Sequence, residues 1–239
     1  MSFFDRTEIL FGRDGLEKLS KARVAVYGLG GVGAACAMDL ARAGVGSLYV
    51  VDFDVVEESN LNRLYFGYAQ SIGKPKTQVF REFAESVNPE IRIDAAVRFF
   101  SGDEAESIVD RGASAHADCV DSLNSKVNLI AALSRSGAAF ISSMGTAGRT
   151  RPELLKLGPL SETSGCPLAR SVRTRLRRMG IASDFPTVWS DEPPVKPVRF
   201  DSRPADQGRQ RLTQGSSPFV PQSAGHIMAS WIVRRMIGE

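Results

Sequence analysis

The chain has 239 residues and a formal net charge of +3, from 30 Lys and Arg against 27 Asp and Glu. This length supports one sizeable α/β domain with a real core, or one domain with an appendage. Three cysteines with no Cys-x-x-Cys pair exclude a disulfide framework and a cysteine-paired zinc site, and the near balance of charge permits RNA binding without requiring it.

No apolar run reaches membrane-spanning length, and no basic-then-apolar secretory start is present. A soluble, cytoplasmic protein is expected. In chain order, residues 8–19 have helical character, broken by Gly12 and Gly15, and Arg6 sits on this N-terminal arm. Val24-Ala25-Val26-Tyr27 then reads as a strand that runs straight into Gly28-Leu29-Gly30-Gly31-Val32-Gly33. Residues 34–43 form a small-residue helix. Residues 47–51 form a second strand, ending in Asp52-Phe53-Asp54.

Strand, glycine turn, helix and acidic strand end together describe a nucleotide site. Gly28 and Gly30 let the backbone turn sharply beside a ligand, and Gly33 lets the helix approach the sheet. The helix N-terminus offers N–H groups and partial positive charge to an anion. Asp52 is placed to accept hydrogen bonds from ribose hydroxyls. The competing explanation is a purely structural glycine turn. An NAD site needs only the glycines and the acid, whereas Asn60, Arg63 and Lys76 downstream suit a triphosphate.

Residues 75–86 read as a helix, 91–97 as an alternating strand, and 102–110 as a short helix. Residues 117–120 read as a buried strand ending at Asp121. Residues 124–134 are helical up to Gly137, and 138–142 form another strand. This alternation predicts a Rossmann-like, mainly parallel sheet with helices on both faces, whose ligands sit beyond the carboxyl ends of the strands. Gly28–Gly33, Asp52 and Asp121 fall at such ends. Residues 1–149 are expected to form the nucleotide-binding core with its arm, and 150–239 a smaller C-terminal extension of the same domain. Within that extension, 152–160 reads as one strand, 168–179 as a basic helix, 186–190 as a strand, and 221–237 as the last helix. Residues 191–217, rich in proline and charge, read as a mobile segment.

Cys36 and Cys119 read as small core residues. Cys166 precedes an arginine-rich helix, surroundings that favour a thiolate; it is a candidate for a catalytic or sulfur-handling role, or a packing cysteine at a helix start. Asp54 reads as a support for the site or a loop brace. Asp121 can hold Mg²⁺ against phosphates or cap the next helix. Arg170, Arg173 and Arg177 share one helix side, which suits a polyanion or a solvated face. His116 and His226 read as structural or surface residues.

Gly-x-Gly-Gly-Val-Gly, Asp-x-Asp-x-Val, Asn-Leu-Asn-Arg, Gly73-Lys74-Pro75-Lys76 and Asp118-Cys119-Val120-Asp121 resemble the ATP site of the ubiquitin-activating-enzyme-like (ThiF/MoeB-type) adenylyltransferases. Further stretches are similar to one branch, the bacterial tRNA threonylcarbamoyladenosine dehydratases: Arg6-Thr7-Glu8-Ile9-Leu10-Phe11-Gly12, Ser142-Ser143-Met144-Gly145, Ser164-Gly165-Cys166-Pro167-Leu168-Ala169, and Phe219-Val220-Pro221 with Ala224-Gly225. Leu64, where relatives usually have Gln, and 146–149 depart from the pattern. The resemblance implies an ATP-binding set of Gly28, Gly30, Gly31, Gly33, Asp52, Asp54, Asn60, Arg63, Lys76 and Asp121. It adds Arg6 from a partner subunit, and implies ATP and Mg²⁺ held by Asp121, with no zinc. It also implies catalysis by Arg63, Lys76 and Asp121, tRNA contact by Arg170, Arg173 and Arg177, and a homodimer. A cysteine-desulfurase or sulfur-acceptor partner is a further implication. Adenylation of a sulfur-carrier protein, an NAD-dependent dehydrogenase and a non-catalytic scaffold are the rival functions.

Overall fold

A computed structural model describes residues 3–102, 104–198 and 213–239. Seven strands form one sheet in the order β3-β2-β1-β4-β5-β7-β6. They are β1 (Arg23–Tyr27), β2 (Ser47–Val51), β3 (Arg92–Ala96), β4 (Ala115–Asp118), β5 (Phe140–Ser143), β6 (Leu155–Pro159) and β7 (Pro186–Ser190). Every neighbouring pair is parallel except β6 with β7. The order turns at β1, whose neighbours are β2 and β4, so a crevice opens beyond the carboxyl ends of these strands.

The alternation along β1 builds both layers. Val24 and Val26 join a core with helices α1 (Asp5–Lys21), α2 (Gly31–Ala43), α3 (Lys76–Val87) and α7 (Phe219–Ile237). Ala25 and Tyr27 join the opposite core with α4 (Glu104–Ile108), α5 (Leu123–Ser136) and α6 (Pro167–Arg178). Burying apolar area on both faces stabilises such a sheet by roughly 25 cal/mol per Å². Gly225 of α7 lies where an added Cβ would come 2.4 Å from the Val32 carbonyl oxygen, so the last helix packs directly on α2.

Several expected boundaries moved. α1 is kinked at Gly12 (φ 73°) and continues through Gly15, which is buried against Ile237. β4 covers Ala115–Asp118, not 117–120, so Asp121 stands beyond the strand. His116 and Asp118 lie inside β4, because buried partners receive them: Tyr27 Oη lies 3.1 Å from His116 Nδ1, and Lys126 pairs with Asp118. Residues 152–160 divide into a 3-10 turn (Pro152–Leu154) and β6, which runs antiparallel.

Of the segment expected to be mobile, 199–212 lies outside the described residues. Its described flanks are tied down. Val198 bridges Thr213, the Gly148 N–H donates to the Gly215 carbonyl at 2.7 Å, and Ser217 Oγ donates to the Arg149 carbonyl at 3.1 Å. Among the described residues no helix is long and apolar enough to cross a membrane.

Candidate active site

The glycine turn leaves β1 and enters α2 at the carboxyl edge. Gly28 takes φ 89°, and a Cβ there would lie 3.0 Å from the Cys119 carbonyl oxygen. At Gly33 a Cβ would fall 1.7 Å from the Gly28 carbonyl oxygen, so no side chain fits. Gly30 caps α2 without a side-chain hydrogen bond, and nothing lies within 4 Å of its missing Cβ. The first turn of α2 is therefore open to an anion. A Cβ on Gly31 would lie 3.3 Å from Arg63 Cγ, which puts an arginine beside that turn.

Asp52 is buried, and its carboxylate braces the turn. Oδ2 accepts the Leu29 N–H at 2.6 Å, and Oδ1 accepts the Asp54 N–H at 2.8 Å. Burial raises its pKa, opposed by the Lys76 charge and these two N–H groups. Each carboxylate oxygen retains further acceptor capacity toward a ribose. Asp54 holds Lys76: Nζ lies 2.7 Å from Oδ2, with Lys76 nearly buried and the Asp54 side chain 47% exposed. The loop-brace reading of Asp54 thus becomes specific, since it fixes the cation at the start of α3.

Asn60 Oδ1 accepts the Glu57 N–H at 3.3 Å and closes the 3-10 turn Glu58–Asn60. Arg63 donates to the Ser59 carbonyl at 2.9 Å and to Asn62 Oδ1 at 2.8 Å. Burial lowers its pKa, and the charges of Asp121 and Glu57 oppose that effect. Asp121 is exposed in the loop after β4, and Ser122 takes the N-cap position of α5, so the capping alternative for Asp121 does not apply. Among the described residues no group of three or more His, Cys, Asp or Glu could hold a metal. One exposed carboxylate suits Mg²⁺, which draws its remaining ligands from phosphate and water.

Sequence reasoning missed the cluster beneath this loop. Lys126 Nζ lies 2.6 Å from Asp118 Oδ2, with both side chains fully buried. Ser142 Oγ donates to the same oxygen at 2.6 Å. The available signal was a lysine four residues into the helix after an Asp-ended strand, a position that faces the sheet.

Other candidates lie elsewhere. Cys166 is buried at the start of α6, its Sγ beside Gly145, so the sulfur-handling expectation has no exposed thiol to act through. Cys36 is buried, while Cys119 is only partly buried, with Sγ 3.9 Å from Met228 Sδ. Leu64 is also buried, which makes that departure a packing change. Arg149 is buried too; Nε donates to the Glu192 carbonyl at 2.8 Å.

The arginines of α6 divide. Arg170 and Arg177 are exposed, but Arg173 turns onto the preceding turn, donating to the Leu160 carbonyl at 3.2 Å, the Thr163 carbonyl at 2.8 Å and Thr163 Oγ1. Arg173 is therefore half-buried with its Nη1 held by the fold, unlike the exposed Arg170 and Arg177. His116 is buried, and burial lowers its pKa to about 4. His226 pairs with Asp39 at 2.5 Å.

Arg6 is exposed on α1, and Phe4 beside it packs 3.2 Å from the Cβ position of Gly44, at the C-terminal end of α2. The 13 residues of α2 span about 20 Å, so Arg6 lies at the far end of that helix from its own glycine turn.

The pattern of the ThiF family matches residues 4–239. A tRNA threonylcarbamoyladenosine dehydratase of Bacillus subtilis (strain 168) is 34% identical over 242 residues, covering 99% of this chain and 95% of the relative. The structure of the E. coli tRNA N6-threonylcarbamoyladenosine dehydratase in complex with ATP superposes with a TM-score of 0.88 at 27% identity, covering 98% of this chain and 93% of that one. A molybdopterin-synthase adenylyltransferase of Salmonella typhimurium is 39% identical over 123 residues, covering only 51% of this chain and 49% of the relative. With its glycine turn, acidic strand ends and nearly full-length match, this chain belongs to the ThiF family.

Proposed function

We propose that this protein is an ATP-dependent tRNA threonylcarbamoyladenosine dehydratase. The reading is carried by likeness to dehydratases over nearly the whole chain, including an ATP complex, combined with an open helix N-terminus flanked by Arg63 at the carboxyl edge. The likeness to the molybdopterin-synthase adenylyltransferase covers about half the chain, which suits a shared adenylation step and not a shared acceptor.

The threonine carboxylate of the modified adenosine is a poor electrophile. Its oxygen attacks the α-phosphorus of ATP, the bond to pyrophosphate breaks, and an acyl-adenylate forms. The neighbouring carbamoyl group then attacks the activated carbonyl and loses a proton. The ring closes, AMP departs with the carboxylate oxygen, and the nucleoside has lost one water. The first step needs no general base, because the attacking oxygen is already anionic.

In this reading the glycine turn and the first N–H groups of α2 hold phosphates, and Asp52 takes the ribose. Arg63 and Lys76 neutralise charge moving onto pyrophosphate, with Asp54 keeping Lys76 in place. Asp121 holds Mg²⁺, which supplies charge neutralisation at the phosphates when bound. The protein contributes alignment and exclusion of water from the acyl-adenylate. Arg170 and Arg177 contact the tRNA backbone.

The protein acts as a homodimer. Ile9 (87% exposed) and Leu10 (75%) present apolar surface on α1, beside a cleft of about 360 Å³ lined by Phe11, Ala229 and Val233. Arg6, remote from its own glycine turn, reaches the partner's site.

The test incubates the protein with ATP, Mg²⁺ and tRNA carrying threonylcarbamoyladenosine, then weighs the released nucleosides. ATP-dependent loss of one water, abolished in Asp121→Ala, is expected. Unchanged nucleoside, with pyrophosphate exchange driven by a Gly-Gly-ended carrier protein, would replace this reading with carrier activation.

A further inference from the structure

The Asp118–Lys126 pair is fully enclosed, and taking two charges out of water is costly. Apolar replacements of such pairs are often neutral or stabilising, so stability alone does not account for it. Its geometry does something that apolar residues could not. Asp118 closes β4, and its Oδ1 accepts the Val120 N–H at 3.1 Å. Its Oδ2 receives Ser142 Oγ from β5 at 2.6 Å and Lys126 Nζ from α5 at 2.6 Å. Lys126 also donates to Ser142 Oγ at 3.3 Å.

Two strand ends and a helix thus grip one short peptide segment, 119–121. Its other side meets the glycine turn, where the Cys119 carbonyl oxygen lies 3.0 Å from the missing Cβ of Gly28. Asp121 is the exposed end of the gripped segment. From this juxtaposition we infer that Asp118, Lys126 and Ser142 form a positioning unit. They hold the segment from Cys119 to Asp121 so that the Asp121 carboxylate faces the ATP phosphates and the glycine turn keeps its shape. None of the three touches substrate. This inference rests on the proposed ATP-using role of the edge.

The decisive variant is the double Asp118→Leu with Lys126→Met, which removes both charges together and also the anchor on Val120. Ser142→Ala removes one donor, and Ser142→Thr restores a hydroxyl. Thermal unfolding is recorded for each, with ATP affinity by calorimetry in Mg²⁺ without tRNA, and kcat and tRNA KM for dehydration. In the folded double variant, kcat is expected to fall about 10- to 100-fold, as a small misplacement does, with weaker ATP binding and unchanged tRNA KM. Ser142→Ala is expected to lose roughly three- to tenfold in kcat, recovered in Ser142→Thr.

A folded double variant with parental kcat and ATP affinity overturns the inference. If the double variant does not fold, Ser142→Ala decides, and parental values there overturn it equally. Failure of the parent enzyme to dehydrate tRNA refutes the functional reading instead, while the ATP affinities still report on the gripped segment.

Discussion

The carboxyl edge and helix α6 carry the same kind of signal, charged residues at telling spacings, and they end differently. At the edge, Asp52, Asp54 and Asp121 stand on segments leaving parallel strands, Arg63 on the connection after β2 and Lys76 at the start of α3. Parallel strands bring such segments to one rim by construction, so the order of motifs was enough to place them. On α6, helical spacing puts Arg170, Arg173 and Arg177 on one side, yet Arg173 binds the Leu160–Thr163 turn while its two neighbours stay exposed. Spacing sets a direction; what another element brings to that direction decides between burial and solvent.

The sharpest test of the edge is Gly33→Ala. A Cβ at 1.7 Å from the Gly28 carbonyl cannot be relieved by a side-chain shift, so soluble folded protein should be lost, as read by expression and circular dichroism. Arg63→Ala and Lys76→Ala come next: each should lower kcat by about 10² to 10³ while the protein stays folded, measured as pyrophosphate release. A loss below threefold at both positions would reduce the edge to scaffold.

A buried histidine inside β4 also sets a pH dependence. The native pKa of His116 is lowered to about 4 by burial, below its unfolded value of roughly 6.5. The unfolded state then binds the proton first, so this contribution is present above the unfolded pKa and is lost as pH falls from about 6.5 to about 4. The loss is on the order of 3 kcal/mol, and His116→Gln should flatten that slope in urea unfolding. An unchanged slope would place the pH sensitivity elsewhere.

The arginine helix supplies the smallest effects and the cleanest contrast. Arg173→Ala should cost about 1–3 kcal/mol of stability and leave the tRNA KM unchanged, because its partners are backbone carbonyls and Thr163. Arg170→Glu with Arg177→Glu should leave melting unchanged, raise the tRNA KM roughly tenfold at low salt and flatten its salt dependence. Equal effects of the two sets on tRNA KM would erase the distinction between them.

Much of the site was legible because its geometry is local. The need for glycine at Gly28 and Gly33 comes from a turn only a few residues long. The Asp54–Lys76 contact, by contrast, joins residues 22 apart in sequence, brought together where Val55 bridges Pro75 and the Lys76 N–H donates to the Asp54 carbonyl at 3.0 Å. Asp118 was read as the opening of a motif on a buried strand and not as half of a buried pair, since its partners Lys126 and Ser142 lie on a helix and a strand that only the fold brings beside it. Cys166 reads as either a reactive thiol or a packing cysteine because its sequence neighbours suggest a charged loop; in the fold it joins the core with α5 and α6, its Sγ beside Gly145.

The sequence by itself determined the alternation of strands and helices, the glycine turn, the acidic strand ends and the family they resemble, because each depends on contacts within a turn or on a repeating period. Only the tertiary structure decided that β6 runs antiparallel, that α7 packs on α2 through Gly225, that Arg173 faces inward, and that Asp118 and Lys126 neutralise one another. Those outcomes join residues far apart in the chain. Their energies come from desolvation and close packing, which do not exist until the sheet has brought the partners together.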